Sequence, residues 1–144
     1  ANDHFFNTFL PMESIKLEMT SDGRFLPAGG RNLADYNPKE LMLYAVAECA
    51  GLTILDILKE HSESLTMLEI GIEAALTTPT LVAESRFLHF NIIYNAHCRT
   101  LKDQLVISRA INLSHDKYCG LIQMYRQISP VMHETSIVTT EEQA

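Results

Sequence analysis

A chain of 144 residues, 47% of them hydrophobic, is long enough to bury the core of one domain without disulfides or a structural metal. Its formal net charge of −7 comes without any cluster of Lys or Arg, which argues against nucleic acid or an anionic membrane surface as a partner. We therefore expect a single domain over residues 1–144.

The first predicted element is a β-hairpin. Ile15, Leu17 and Met19 alternate with polar residues, as in a strand with one buried face. The turn sequence 21–23, Ser-Asp-Gly, then leads into a second short strand at 24–26.

A long helix is predicted next. Asn37 is a suitable N-cap, Pro38 fits the first helical position, and Glu40 completes a capping box, so we expect a helix from Pro38 to about Glu60. Its apolar residues cover nearly the whole circumference, which is typical of a helix covered on most sides. One small sheet cannot supply that cover, so we expect a two-fold homodimer with the long helices near its middle. The alternative is a helix that is well buried in a monomer.

The remaining predicted elements alternate between strand and helix patterns. They are two strands, two helices and a last strand, over 68–76, 88–94, about 103–117, 121–128 and 135–139. Residues 141–144 are predicted to be a disordered tail. This order favours an α+β fold in which an antiparallel sheet wraps around a long central apolar helix.

The sequence predicts neither a secretion signal nor a transmembrane span. No basic segment followed by an apolar one opens the chain, and Glu48 and Asp56 interrupt the longest apolar run. We therefore expect a cytoplasmic protein whose cysteines, Cys49, Cys98 and Cys119, are reduced at rest.

Two of these cysteines lie in contrasting settings. Cys49 falls within the apolar run of the long helix and is expected to be buried. Cys119 precedes the predicted helix at 121–128, whose first N–H groups would favour a thiolate. If the fold brings them together, they form a dithiol that can react with an oxidant and close to a disulfide. Taken singly, each is more commonly a small buried hydrophobe, and Cys98 is expected to be structural.

These residues also carry a resemblance to a known family. Asn37-Pro38-Lys39-Glu40-Leu41 opens an apolar helix with a cysteine nine residues after the Glu, and Tyr118-Cys119 is followed by Ser129-Pro130-Val131. Over about Pro38 to Ile137 this pattern resembles the OsmC/Ohr family. The resemblance implies a homodimeric α+β protein that reduces organic hydroperoxides, with Cys49 as the peroxidatic and Cys119 as the resolving cysteine. It also implies an external thiol reductant and no metal or organic cofactor.

Family members that reduce hydroperoxides pair an arginine of an N-terminal loop with an acid after the Asn-Pro. Here Lys39 follows the proline and Glu40 comes next, while Arg24 and Arg31 are the arginines of the N-terminal part. By the resemblance, Glu40 and an arginine, Arg31 or Arg24, are candidate activating residues for Cys49, and Arg31 is the one we select. Each also has a structural explanation, since Glu40 suits a capping box and loop arginines are usually solvated.

Two alternatives remain open from the sequence. A zinc site could use His115 and Cys119, four residues apart, with further ligands drawn from His97, Cys98, Asp116 and His133. The signal is weak, because six scattered histidines form no paired metal-binding motif. The other alternative is a non-enzymatic member of the same fold that binds a small apolar ligand or senses oxidants.

Overall fold

The computed structural model describes residues 10–79 and 84–140, and the predicted tail at 141–144 lies outside them. Within these residues the chain forms five strands and three α-helices. In chain order they are β1 (Met12–Met19), β2 (Phe25–Pro27), α1 (Pro38–Ile57), β3 (Leu65–Leu76), β4 (Phe87–Cys98), α2 (Leu101–Leu113), α3 (Gly120–Tyr125) and β5 (Val131–Thr139).

The five strands form one mixed sheet in the order β2-β1-β3-β4-β5. The first three pairings are antiparallel, whereas β5 runs parallel to β4, from Phe90 beside Val131 to Cys98 beside Thr139. The α+β class is therefore confirmed, but the prediction of a wholly antiparallel sheet is wrong. The reason is the connection: α2 and α3 lie between β4 and β5 in the chain, and a helical crossover of this kind returns the chain to the same end of the sheet.

The core lies between α1 and one face of the sheet. Alternate residues of β3 and β4 are buried on that face, as the predicted period of two requires. The buried residues of α1 are Leu43, Val46, Ala47, Ala50, Gly51 and Ile54. The opposite flank of the helix is open within the chain, because Leu41 is 42% and Leu52 is 46% exposed. One chain thus covers only part of a helix that is apolar nearly all round.

Local hydrogen bonds explain where the helices begin and end. The predicted capping box is present at the start of α1, where Asn37 Oδ1 accepts from the Glu40 N–H at 2.8 Å and Glu40 Oε1 accepts from the Asn37 N–H at 3.0 Å. The helix ends at Ile57, earlier than predicted, and a 3₁₀ segment, Lys59–Ser64, follows.

None of the helices in the described ranges combines the length and hydropathy needed to cross a membrane.

The largest differences from the predicted boundaries lie near the C-terminus. The helix predicted to continue to residue 117 becomes a π-helical turn, Ser114–Tyr118, in which the Cys119 N–H donates to the Ser114 carbonyl at 2.9 Å. The last strand begins at Val131, directly after Pro130, because pairing with β4 starts there.

Gly51 packs tightly against side chains of the sheet, and we expect Gly51→Ala to destabilise the protein. An added Cβ would lie 2.6 Å from the Phe25 ring and 2.9 Å from the Ile70 side chain. Overpacking of this kind costs about 1–3 kcal/mol, to be measured as the free energy of unfolding in urea. Gly120→Ala is the matched control, since nothing lies within 4 Å of its added Cβ. Its stability should be unchanged or raised by up to about 1 kcal/mol, and an equal loss in both variants would contradict the packing argument.

Candidate functional site

The structure brings Cys49 and Cys119 into contact, although they are 70 residues apart in the sequence. The Cys119 thiol donates a hydrogen bond to the Cys49 sulfur, with 3.2 Å between the two sulfur atoms. Both are free thiols. The pair is therefore a reduced dithiol at close range, the arrangement that thiol–disulfide chemistry requires.

The two thiols differ in exposure, and Cys49 is not the buried one. Cys119 is fully buried, whereas Cys49 is only partly buried and lines an open cavity. The expectation of a buried Cys49 is wrong because this residue lies on the flank of α1 that the sheet does not cover. An oxidant in the cavity can reach Cys49 first.

Burial also decides the protonation of Cys119. It raises the pKa of the Cys119 thiol to about 12, against the N–H groups of Ile122 and Leu121, which lower it. The hydrogen bond to Cys49 raises it further. The prediction that the start of a helix would favour a thiolate at Cys119 is therefore wrong. The N–H groups of α3 do lower the pKa, but α3 is only six residues long and desolvation outweighs them. At neutral pH, Cys119 keeps its proton.

The π-helical turn holds Cys119 against α1. Ser114 opens this turn, and its hydroxyl donates to the carbonyl of Ala50, the neighbour of Cys49, at 3.2 Å. The Ser114 carbonyl accepts from the Cys119 N–H. Ser114 therefore links the backbone of Cys119 to the residue that follows Cys49 in α1. The sequence analysis missed it, because a single serine near a helix end carries no signal until the turn is seen.

The cavity beside Cys49 has a volume of about 740 Å³. Its lining is mainly apolar with two carboxylates, and consists of Ala45, Glu48, Cys49, Leu52, Thr53, Asp56, Ile57, Tyr118 and Leu121. No Lys or Arg stands among these lining residues of the described chain. Such a cavity suits an uncharged molecule with an apolar part.

Arg31 and Glu40 form a second pair. The Arg31 guanidinium lies 3.1 Å from Glu40 Oε2 and stacks 4.4 Å from the centre of the Tyr36 ring. Burial opposes ionisation of Glu40, but the Asn37 N–H and Arg31 outweigh it and hold the pKa of the Glu40 carboxyl below its ordinary value. Glu40 thus serves in the capping box and in the ion pair at once.

The two pairs are separated within one chain. Glu40 and Cys49 are nine residues apart in α1, which corresponds to about 13 Å along the helix axis and about half a turn around it. The structure therefore brings Arg31 to Glu40 and Cys49 to Cys119, but it does not bring the ion pair to its own thiols. Arg24 lies at the hairpin turn, where its N–H donates to Thr20 Oγ1.

The residues considered for zinc do not form a metal site. Within the described ranges, no group of three or more His, Cys, Asp and Glu side chains could hold a metal ion. His115 and His133 stack with ring centres 3.9 Å apart, and His115 Nε2 pairs with the Val131 carbonyl at 3.2 Å. Cys98 is buried, and its thiol donates to the Thr100 carbonyl at 3.4 Å, which is a structural contact.

Comparison with known proteins identifies the family. A family model described as "OsmC-like protein" matches residues 29–134, which include Arg31, Glu40, Cys49 and Cys119. The chain belongs to the OsmC-like protein family. Protein YhfA of Escherichia coli strain K12 is 27% identical over 122 residues, which cover 84% of this chain and 87% of that protein.

Solved structures share the OsmC-like fold. A hypothetical protein from Aquifex aeolicus VF5 has a TM-score of 0.60 at 22% identity, over 92% of this chain and 98% of the other. An OsmC-like protein from Mycoplasma pneumoniae has a TM-score of 0.58 at 10% identity, over 90% and 96%. The organic hydroperoxide resistance protein OhrB of Bacillus subtilis has a TM-score of 0.52 at 16% identity, over 88% and 98%. At these identities the likeness concerns the fold alone.

We expect His115 to make the protein sensitive to acid. Burial, helped by the nearby His133 and Arg126, lowers the pKa of His115 to about 4, whereas an unfolded histidine titrates near 6.5. Stability should therefore be full above pH 6.5 and fall as the pH drops towards 4, because the unfolded chain binds the proton more readily. Urea unfolding between pH 4 and 8 should show a shallower loss for His115→Gln. His61→Gln, at an exposed site, should keep the wild-type slope; an unchanged slope in both variants would contradict this assignment.

Proposed function

We propose that the protein is a thiol-dependent peroxidase that reduces organic hydroperoxides through Cys49 and Cys119. The observation that supports this function is the contact of 3.2 Å between the two sulfurs at the side of an open, mainly apolar cavity. A structural role for buried thiols does not require a second thiol in contact or access to a cavity. No step of the proposed reaction needs a metal or an organic cofactor.

Exposure and protonation support the order of the two cysteines. Cys49 faces the cavity and accepts the hydrogen bond from Cys119, so Cys49 is the proposed peroxidatic residue. Its thiolate attacks the terminal peroxide oxygen, an S–O bond forms, the O–O bond breaks, and the alkoxide leaves as an alcohol after taking up a proton. Cys49 is then a sulfenic acid.

Cys119 completes the proposed cycle as the resolving residue. Its sulfur attacks that of Cys49, an S–S bond forms, and hydroxide leaves as water with the proton that Cys119 gives up. The dithiol has then supplied the two electrons that reduced the peroxide. An external thiol returns the disulfide to the dithiol by exchange, and the buried position of Cys119 directs that thiol to Cys49.

The proposed reaction needs a cation near Cys49, and no Lys or Arg of the described residues lines the cavity of the same chain. Arg31 is the proposed cation, oriented by Glu40 and contributed by the second subunit of a homodimer. Two observations support this arrangement: the Arg31 side chain is 44% exposed, and the flank of α1 that carries Cys49 is uncovered. Arg31 could then reach the cavity of the other subunit, while it remains at the N-terminal end of its own α1.

The lining of the cavity supports an organic substrate. Ala45, Leu52 and Leu121 can cover an apolar tail, which hydrogen peroxide lacks. The carboxylates of Glu48 and Asp56 disfavour a negatively charged tail at the same place. Cumene hydroperoxide, which is apolar and uncharged, is therefore the probe of choice.

The peroxidase function predicts distinct outcomes for the two cysteines. With cumene hydroperoxide and dithiothreitol, Cys49→Ser should lower peroxide consumption by roughly a hundredfold or more, because the nucleophile is lost. Without dithiothreitol, which would itself reduce an accessible sulfenic acid, Cys119→Ser should consume one equivalent and accumulate sulfenic acid at Cys49, trapped with dimedone. In the wild type, non-reducing mass mapping should find the peptides of Cys49 and Cys119 linked.

Cys98→Ala is the matched control for these measurements and should keep wild-type turnover, since Cys98 contacts neither of the other thiols in the structure. Unchanged peroxide loss in Cys49→Ser would reject the function. Thiols that stay inert in the folded wild type, together with a retained apolar ligand, would favour the non-enzymatic binding function instead.

The homodimer predicts a response to a charge on the uncovered flank of α1. Leu52→Glu should shift the protein from dimer to monomer in light scattering, because a buried carboxylate at a subunit interface is unfavourable. Leu105→Glu, which alters a leucine that is 74% exposed on α2, should remain dimeric. A monomeric wild type would contradict the homodimer and the contribution of Arg31 from the partner.

A further inference from the structure

Tyr94 carries a buried hydroxyl that the fold does not use. The residue lies on β4, on the sheet face that packs against the helices, and is fully buried. Within the described chain, its hydroxyl has no hydrogen-bond partner. A buried hydroxyl normally has one, and an unsatisfied buried group costs about 1–3 kcal/mol. A phenylalanine would fill the same space without this cost.

The unpartnered hydroxyl lies near the dithiol. Ile70, the cross-strand neighbour of Tyr94, packs against Gly51 of α1, two residues from Cys49. Burial is the main cause that raises the pKa of Tyr94, and Cys119 and then Cys49 raise it further. Tyr94 therefore keeps its proton when a thiolate forms beside it. Its hydroxyl is a donor that makes no hydrogen bond in the resting dithiol.

Tyr125 is a second phenol whose pKa Cys49 affects, but unlike Tyr94 it has a hydrogen-bond partner. Burial, followed by Cys49, raises the pKa of Tyr125 as well. Its hydroxyl, however, donates to the Met42 carbonyl at 2.7 Å and holds α3 against α1. Of the two phenols, only Tyr94 lacks such a structural bond in the described residues.

We propose that the Tyr94 hydroxyl donates a hydrogen bond to the Cys119 sulfur as that sulfur loses its proton and attacks Cys49. The proposal rests on the resolving role of Cys119 in the proposed function. In the resting dithiol, Cys119 uses its own proton to contact Cys49, and its sulfur is shielded from water. Loss of the proton leaves a buried negative charge on the Cys119 sulfur until the attack passes that charge to the leaving group. A nearby donor with no other partner stabilises it.

The atoms of this step balance without consuming Tyr94. The Cys119 sulfur forms a bond to the Cys49 sulfur, and the bond from Cys49 to its leaving group breaks. The proton of Cys119 goes to the departing hydroxide, or to solvent when the leaving group is itself a stable thiolate. Tyr94 retains its proton throughout, and its hydrogen bond weakens once the sulfur charge is neutralised in the disulfide.

The test isolates the closing step and does not need peroxidase activity. In a Cys98→Ala background, 5,5′-dithiobis(2-nitrobenzoic acid) reacts with Cys49 and releases one thionitrobenzoate. Closure by Cys119 then breaks the mixed disulfide and releases a second one, which absorbs at 412 nm. We expect Tyr94→Phe to slow the second release about tenfold, the effect of one hydrogen bond to a charged group, and to leave the first release unchanged.

Tyr125→Phe is the matched control. It loses its bond to the Met42 carbonyl and should therefore lower the unfolding temperature, whereas Tyr94→Phe loses no bond and should not lower it. Closure in Tyr125→Phe should stay within about twofold of the parent protein. The rate of closure against pH should also shift to higher pH in Tyr94→Phe alone, because the Cys119 thiolate becomes less stable.

Equal closure rates in Tyr94→Phe and its parent would overturn the proposal, as would a parallel slowing in both phenylalanine variants. A second experiment, with a peroxide, distinguishes failure of this proposal from failure of the proposed function. After one equivalent of cumene hydroperoxide, Tyr94→Phe should form sulfenic acid at Cys49 at the wild-type rate but hold it about tenfold longer. A wild type that forms no sulfenic acid would reject the peroxidase, while the two releases of thionitrobenzoate would still decide the role of Tyr94.

Discussion

The contact between the Cys119 thiol and the Cys49 sulfur is the interaction on which the candidate site depends. It joins α1 to the segment between α2 and α3, and the fold holds it by means that lie outside the cysteines themselves. The π-helical turn lets the Cys119 N–H reach back to Ser114, whose hydroxyl bonds to Ala50 beside Cys49. A regular α-helix through this segment would place Cys119 at a different angle around its axis. An irregular turn thus sets the geometry of the dithiol.

Opposing electrostatic effects make the two thiols unequal. The N–H groups at the start of α3 favour an anion at Cys119, but they are few and the sulfur is fully buried, so desolvation prevails. Cys49 shares the contact but opens on the cavity. Cys119 thus keeps its proton, whereas Cys49 is accessible from the cavity. A cycle with two cysteines needs this difference. The same burial explains why a donor beside Cys119 would matter in the closing step.

Local signals in the sequence predicted local structure well. Asn37, Pro38 and Glu40 marked the start of α1, and alternation marked the buried faces of β3 and β4, because caps and periodicity depend on neighbouring residues. The family pattern indicated the cysteine pair before any distance was known. The parallel direction of β5 and the partial exposure of Cys49 were missed, since both depend on how distant elements pack. Tyr94 looked like one more apolar position of a strand until its hydroxyl proved unpartnered.

The separation of Arg31 from the thiols has a consequence for the whole assembly. A helix that places its capping acid about 13 Å and half a turn from its cysteine cannot use that acid on its own sulfur. The Arg31–Glu40 pair is nonetheless ordered by the capping box and by the Tyr36 ring, and the cavity beside Cys49 lacks a basic residue among its described lining. A two-fold axis near α1 would meet both conditions at once: it would cover the open apolar flank and bring a cation to each cavity. Stability and catalysis would then depend on the same interface.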